Sequence, residues 1–217
     1  MMKKLLTGLV LFASLGATAQ APKAMGKNDP EAKRILDGVS AKFKTYKAVQ
    51  SKFTLKIENA SNKVIGNKTG TVSMKGSKYR ISVSGQEIFC DGASVYTLDN
   101  AAKEVTISKV DASANSITPQ KLFTNFYDKD FLYKLNSDAG NTQEIELTPI
   151  DKTKPFHKVL LYINKATQTI SATKIFEKTG NRYTYAVSSL NGNAAVPDAM
   201  FVYDAKKYPG VEVVDLR

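Results

Sequence analysis

The residues best suited to chemistry are few and far apart in this chain. Its 217 residues include one histidine, His157, and one cysteine, Cys90. A histidine base or a cysteine nucleophile needs a partner within hydrogen-bond reach, and no carboxylate or thiol is organised around His157 in the sequence. A single cysteine also rules out an internal disulfide and a multi-cysteine metal site. We therefore predict that the protein is not an enzyme and needs no metal or cofactor.

Three further segments resemble functional motifs only superficially. Asp128 and Asp130 are close in sequence, but no second carboxylate is placed opposite them as glycoside hydrolysis requires. Segment 66–69 lacks the first glycine and the Gly-Lys-Thr run of a phosphate loop. Segment 136–140 lacks the bidentate acid of a calcium loop. We predict a turn at each of these two segments.

The charge balance is basic, with 31 Lys and Arg against 20 Asp and Glu and a net charge of +11. Nearly all of these cations are lysines dispersed along the chain, whereas nucleic-acid binders cluster their cations and use arginine forks. We expect a solvated surface and no nucleic-acid partner. Attraction to anionic lipid headgroups is the weaker interpretation that the charge leaves open.

The N-terminus has the pattern of an export signal. Lys3 and Lys4 precede an apolar stretch at 5–15, and small residues occupy positions 17 and 19. We predict a cleavable signal peptide at 1–19, a flexible leader at 20–28 and one domain at 29–217 in the periplasm. A chain of this length buries roughly 70% of its unfolded surface, enough for a real core.

The period of the apolar residues changes at Val49. Before it, Asp29 and Pro30 begin an amphipathic helix with apolar residues at steps of three and four up to Tyr46. Thr118 begins a second, short helical segment. The remaining chain alternates as strands do. We predict eleven of them, at 49–58, 69–75, 78–84, 86–90, 94–98, 104–110, 131–136, 142–148, 158–164, 170–177 and 182–190.

These strands join through short turns, so the fold should be mainly β with α, built on an antiparallel sheet. Each strand has one apolar side that must be covered, and only the two helices are available to cover it. A curved sheet with helices across its concave side meets that need. The hollow between them is then either an apolar cavity for a greasy ligand or packed solid by side chains.

Several segments of the chain resemble the outer-membrane lipoprotein carrier family, LolA. The resemblance implies an unclosed antiparallel β-barrel of about eleven strands, with an N-terminal amphipathic helix and a short lid helix over an apolar cavity. In enterobacterial members an arginine follows the second strand and bonds to the lid, but Gly76 stands at that position here. The segments that carry the resemblance are 46–54, 70–75, 79–80, 90–96, 117–123, 196–203 and 209–213.

The resemblance also implies a function and partners. Members of the family accept acylated lipoproteins from an inner-membrane ABC transporter and carry them to an outer-membrane acceptor, where one is present. We expect a monomer. The candidate lipid-binding residues, each of which could equally be ordinary core, are Leu36, Val39, Phe43, Phe53, Leu55, Val72, Met74, Ile81, Ile88, Tyr96, Leu122, Phe123 and Phe126.

Three alternatives remain. An exported module could bind or sense lipids or other hydrophobic ligands without shuttling lipoproteins. A transmembrane β-barrel has a similar alternation, although the chain has no tryptophan and begins with a helix. A lipid esterase would need a nucleophile and a base that the sequence does not pair.

Overall fold

The first helix, α1 (Pro30–Lys44), begins where the sequence predicts it. In the computed structural model, which describes residues 28–110 and 127–217, Asp29 Oδ1 accepts hydrogen bonds from the N–H groups of Glu31 at 2.9 Å and Ala32 at 3.3 Å. These bonds satisfy donors that the first turn of a helix leaves without a partner. None of the helices in the described ranges is long and apolar enough to cross a membrane.

Twelve strands form one sheet. They are β1 (Val49–Glu58), β2 (Val64–Lys75), β3 (Lys78–Val83), β4 (Gln86–Cys90), β5 (Ser94–Asp99), β6 (Glu104–Lys109), β7 (Phe131–Ala139), β8 (Thr142–Pro149), β9 (Phe156–Asn164), β10 (Thr169–Glu177), β11 (Arg182–Asn191) and β12 (Glu212–Asp215). The remaining helices within the described ranges are α2 (Tyr127–Asp130), directly before β7, and two short 3-10 helices at Asp198–Phe201 and Ala205–Lys207.

The sheet is not closed into a barrel. Its strand order is β12-β6-β5-β4-β3-β2-β1-β11-β10-β9-β8-β7, so β12 and β7 are its edges. All neighbours are antiparallel except β12, which runs parallel to β6. The mainly β, unclosed architecture predicted from the sequence is confirmed. The twelfth strand was missed because its four residues are mostly exposed and show no inward face.

The structure places strand residues where the sequence predicts the two turns. Residues 66–69 lie inside β2, because β2 pairs with β1 from Val64 to Met74. The turn precedes them, where Asn59 Oδ1 accepts hydrogen bonds at 3.0 Å from the N–H groups of Ser61 and Lys63. Residues 136–139 belong to β7, and only Gly140, with φ +58°, lies in the turn. Ladder hydrogen bonds outweigh the weak strand propensity of Gly and Asn at these positions.

Each face of the sheet is covered by a different part of the chain. We call the face that carries α1 the inner face. Over β7–β10, α1 covers a core on it, built from Ala32, Ile35, Leu36, Val39, Tyr127, Phe131, Tyr133, Ile145, Leu147, Phe156, Val159, Leu161, Ile163 and Ile170. On the outer face of β4–β6, the segment after β11 covers a smaller core of Phe89, Leu98 and Val105 with Tyr203, Tyr208 and Val211.

Candidate functional site

Strand register brings six of the predicted lipid-binding residues onto the inner face. Residues opposite each other in an antiparallel pair point to the same side of the sheet. Val72 is opposite Ile81, and Ile81 is opposite Ile88, which gives one apolar row across β2, β3 and β4. Met74 lies one step along β2, opposite Val49. Phe53 and Leu55 alternate with Val49 along β1 and complete the set.

These six residues differ in how deeply they are buried. Met74, with 2% of its surface exposed, belongs to a core cluster near the end of α1. Val72, Ile81 and Ile88 are half-buried and pack against that cluster. Phe53 and Leu55 are also half-buried but belong to none of the core clusters of the described residues. The inner face therefore becomes progressively less covered from Met74 toward Leu55.

The predicted helix residues belong to the packed part of the inner face. Leu36 and Val39 are buried in the core beneath α1. Phe43 is half-buried and makes an edge-to-face contact with Tyr46, their ring centroids 6.0 Å apart. The three candidates Leu122, Phe123 and Phe126 lie outside the described residues.

Tyr96 does not share the inner face with the other candidates. It pairs with Phe89 across β4 and β5, whereas its neighbour Val95 pairs with the inward residue Cys90. Its ring stacks on Tyr203 at 5.7 Å, within the outer core that the C-terminal segment covers. This corrects its assignment as a lining residue. An aromatic side chain in a strand is apolar on whichever face it lies, and Tyr96 faces a core of its own.

Sequence reasoning missed a set of inner-face residues on β11. Val187 lies opposite Phe53, Tyr185 opposite Leu55, and Tyr183 opposite Ile57. All four of the missed residues, Ile57 included, are half-buried. The Tyr185 ring lies 6.0 Å from that of Phe53, and burial raises the pKa of its hydroxyl. Alternation along 182–190 could have identified the three on β11 from the sequence, and alternation along 49–58 could have identified Ile57.

The cavities differ between the part of the sheet beneath α1 and the part beyond it. Beside the end of α1, a gap of about 10 Å³ lies among Val39, Phe43 and Ile170, room for one water molecule at most. A second gap of about 180 Å³ opens at the side of α1, between Arg34, Ile35 and Gln143, so the α1 half is buried beneath the helix but is not filled at its side. A wider groove of about 340 Å³ is lined mainly by polar residues that alternation places on the outer face, and Phe53 and Gly70 also border it. The polar residues include Lys52, Thr54, Thr69, Thr71 and Ser82.

Gly76 stands where the resemblance to the LolA family would place an arginine, and in this chain it forms a turn. Gly76 adopts φ +57° in the tight turn between β2 and β3, a left-handed conformation that glycine accepts without strain. The lysines that flank this turn bind the first 3-10 helix, because Lys75 Nζ and Lys78 Nζ lie 2.7 Å and 3.1 Å from the carboxylate oxygens of Asp198. The turn is thereby anchored to the C-terminal segment.

The two residues singled out for chemistry are not assembled into a site. His157 is exposed on β9, with its ring 6.2 Å from that of Phe176. Cys90 is buried, and burial raises the pKa of its thiol, which disfavours the reactive thiolate. Within residues 28–110 and 127–217, no three His, Cys, Asp or Glu side chains group so as to hold a metal ion.

Comparison with known proteins identifies the family. The family model described as "Outer membrane lipoprotein carrier protein LolA" matches residues 44–204. An uncharacterized conserved protein from Thermus thermophilus has the same fold, with a TM-score of 0.57, 14% identity, and coverage of 85% of this chain and 99% of that one.

Two further solved structures align less closely. A LolA superfamily protein from Nitrosomonas europaea gives a TM-score of 0.44 at 14% identity, covering 80% of this chain and 98% of that one. LprF from Mycobacterium bovis gives 0.43 at 14% identity, covering 79% and 98%. No curated protein matches the chain. The family match spans most of the chain, which therefore belongs to the LolA family of outer membrane lipoprotein carrier proteins.

Proposed function

We propose that this protein is a periplasmic carrier that holds the acyl chains of lipoproteins against the inner face between β11 and β4 and moves them from the inner to the outer membrane. The observation that carries the proposal is the set of half-buried apolar side chains that shares the inner face of five neighbouring strands, with Ser51, Lys68 and Gly70 between them on β1 and β2. It includes Val187, Leu55, Val72, Ile81 and Ile88. The family description supports the same role.

The energetics explain why such a surface is needed. Each buried methylene is worth about 0.8 kcal/mol, so a chain of ~15 methylenes costs on the order of 12 kcal/mol to expose to water. Two or three chains make spontaneous transfer between membranes negligible. A carrier must therefore offer an apolar surface nearly as favourable as lipid and then release its cargo to a better acceptor.

The dimensions of the surface suit an acyl chain. Adjacent strands are about 4.8 Å apart, so β11, β1, β2, β3 and β4 span roughly 19 Å. One leaflet of a bilayer, which is one acyl chain deep, is half of the roughly 30 Å hydrocarbon core. A chain laid across these strands would contact side chains along its whole length. Phe53 and Tyr185 add adaptable aromatic contacts at one side of this surface.

The proposal includes export and two partners. The N-terminal pattern around Lys3 and Lys4 supports export by a cleavable signal peptide into the periplasm. There the protein would receive acylated lipoproteins from an inner-membrane ABC transporter and pass them to an outer-membrane acceptor. Depletion of the protein should leave lipoproteins in the inner membrane. A binding or sensing module that does not shuttle would leave their distribution unchanged.

Neighbouring residues on β1 provide a matched test. Leu55 points to the inner face, whereas Thr54 is exposed on the outer face and pairs with Ala186. We expect Leu55→Glu to abolish uptake of a fluorescent fatty-acyl probe, because it places a carboxylate beside the apolar rings of Tyr185 and Phe53, on the same face as Lys68 of β2. Thr54→Glu should bind the probe as the wild type does. Circular dichroism and thermal melting would establish that both variants fold, and equal uptake by both would contradict the proposal.

A further inference from the structure

Three large aliphatic side chains are exposed at one end of the sheet. This end is formed by the end of β1, the start of β2, the end of β8, the start of β9, the end of β10 and the start of β11. Val64 is 44% exposed, Ile65 58% and Ile150 43%. Val64 and Ile65 directly follow the turn Asn59–Lys63, and Ile150 directly follows β8. Val64 and Ile65 are neighbours, whereas β1, β11, β10 and β9 lie between them and Ile150. Neighbouring exposed aliphatic residues commonly mark a contact surface.

The outer face at the same end is lined by cations around an aromatic ring. Arg182 lies opposite both Glu58 and Phe176, and Phe176 lies opposite Lys158, which places the four in one row across the sheet. The charged groups of Lys158, Lys174 and Arg182 lie 4.4, 5.5 and 5.7 Å from the centroid of the Phe176 ring.

The carboxylates at this end are fewer than its cations. Glu58 pairs with Lys56 at 3.4 Å and Lys174 at 3.2 Å, so one acid is shared between two lysines. Among the residues that the structure describes, Lys158 and Arg182 are paired with no carboxylate. Asp151 and Glu177 keep their charge and accept hydrogen bonds from turn hydroxyls at 2.7 Å and 2.9 Å. The turn lysines Lys63 and Lys178 add further positive charge.

We propose that this end of the sheet docks on the surface of a bilayer that contains anionic phospholipids. Lys158 and Arg182 would contact lipid phosphates, while Val64 and Ile65 would enter the interface between headgroups and acyl chains. Juxtaposed cations and exposed aliphatic side chains are the combination that binds proteins to such surfaces. The cation row lies on the face opposite to the one used for acyl chains, so this docking goes beyond the proposed carrier function.

Cosedimentation of the purified protein with vesicles tests this inference. The vesicles are phosphatidylcholine alone and phosphatidylcholine mixed in equal parts with phosphatidylglycerol. We expect binding to the mixed vesicles only, and release when salt is added, because salt screens exposed charges. The double variant Lys158→Gln/Arg182→Gln should bind roughly thirtyfold more weakly, at about 1 kcal/mol for each charge lost.

A second variant and a matched control make the outcome decisive. Ile65→Ser should weaken binding about tenfold through lost apolar contact. Lys47→Gln/Lys109→Gln removes the same charge from the opposite end of the sheet and should bind as the wild type does. An equal loss of binding in this control would overturn the inference, and so would equal binding to both kinds of vesicle. Absence of binding to either kind would also overturn it, as expected if the surface binds an acidic protein partner instead.

The same measurements separate this inference from the carrier function. Uptake of a fluorescent acyl probe from solution should be unchanged in Lys158→Gln/Arg182→Gln. Protein that takes up the probe but binds neither kind of vesicle overturns the docking surface alone. Protein that binds mixed vesicles but takes up no probe overturns the carrier function alone.

Discussion

The ring of Phe53 lies over Gly70 on the neighbouring strand. The two residues are opposite each other in the β1–β2 pair, and a Cβ atom added to Gly70 would be 2.5 Å from Phe53 Cζ and 2.7 Å from the backbone oxygen of Ser82. Only a residue without a side chain leaves room for the ring there. The absence of a side chain at Gly70 thus lets the Phe53 ring lie against the inner face, beside the surface proposed to bind acyl chains.

Replacing Gly70 by Ala should therefore disturb both stability and binding. The new methyl group would collide with a ring and with a backbone atom, and overpacking of this kind costs about 1–3 kcal/mol. Chemical denaturation would measure the loss. We also expect weaker uptake of an acyl probe, because Phe53 must move.

Gly66→Ala on the same strand is the control for this change. A Cβ atom there would be 3.5 Å from Ile57 Cδ1, an ordinary contact. We expect the free energy of unfolding of Gly66→Ala to stay near that of the wild type. A Gly70→Ala protein as stable as Gly66→Ala would show that the ring is not confined by Gly70.

The packed and uncovered halves of the inner face should respond differently to one substitution. Leu161, 1% exposed beneath α1, should lose about 2–5 kcal/mol of stability when changed to Ala, because a cavity remains. Leu55→Ala removes the same atoms from a half-buried position and should cost about 1 kcal/mol. Urea denaturation of the two variants measures both costs. Similar losses would mean that Leu55 is core and that the inner face is filled throughout.

Acid should weaken the attachment of α1 to the sheet. The Tyr127 hydroxyl donates to Asp37 Oδ1 at 2.8 Å, and this bond with that of Lys33 lowers the pKa of Asp37. The N–H of Leu135 donates to Asp29 Oδ2 at 3.0 Å and is the main cause of the lowered pKa of Asp29. Both carboxylates therefore bind protons less readily in the folded than in the unfolded protein.

The sign of the pH dependence follows from these lowered pKa values. Asp29 and Asp37 contribute fully to stability above the ordinary carboxyl pKa of 3.8. This contribution is lost as pH falls through the lower pKa values that they have in the folded protein. Thermal melting across that range should show a smaller acid-induced loss in Asp29→Asn/Asp37→Asn than in the wild type. An unchanged acid dependence in the double variant would place the responsible groups elsewhere.

Strand alternation was the most informative part of the sequence. In β1 it placed Phe53 and Leu55 on one face, and the register of the structure agrees. It failed for Tyr96, because β5 is apolar on both sides and a distant C-terminal segment covers the outer one. No local pattern reveals such a cover. Nor could the sequence tell that α1 would bury the inner face near Leu161, since that depends on how far the helix extends across the sheet.

The most direct test of an uncovered acyl-binding face is the cargo that the protein carries. The full chain would be expressed in a Gram-negative host, purified from the periplasm without detergent, and analysed by mass spectrometry after organic extraction and after proteolysis. We predict acylated lipoprotein bound to the wild-type protein and absent from Leu55→Glu. Wild-type protein free of lipoprotein and of any other acylated molecule would contradict the account.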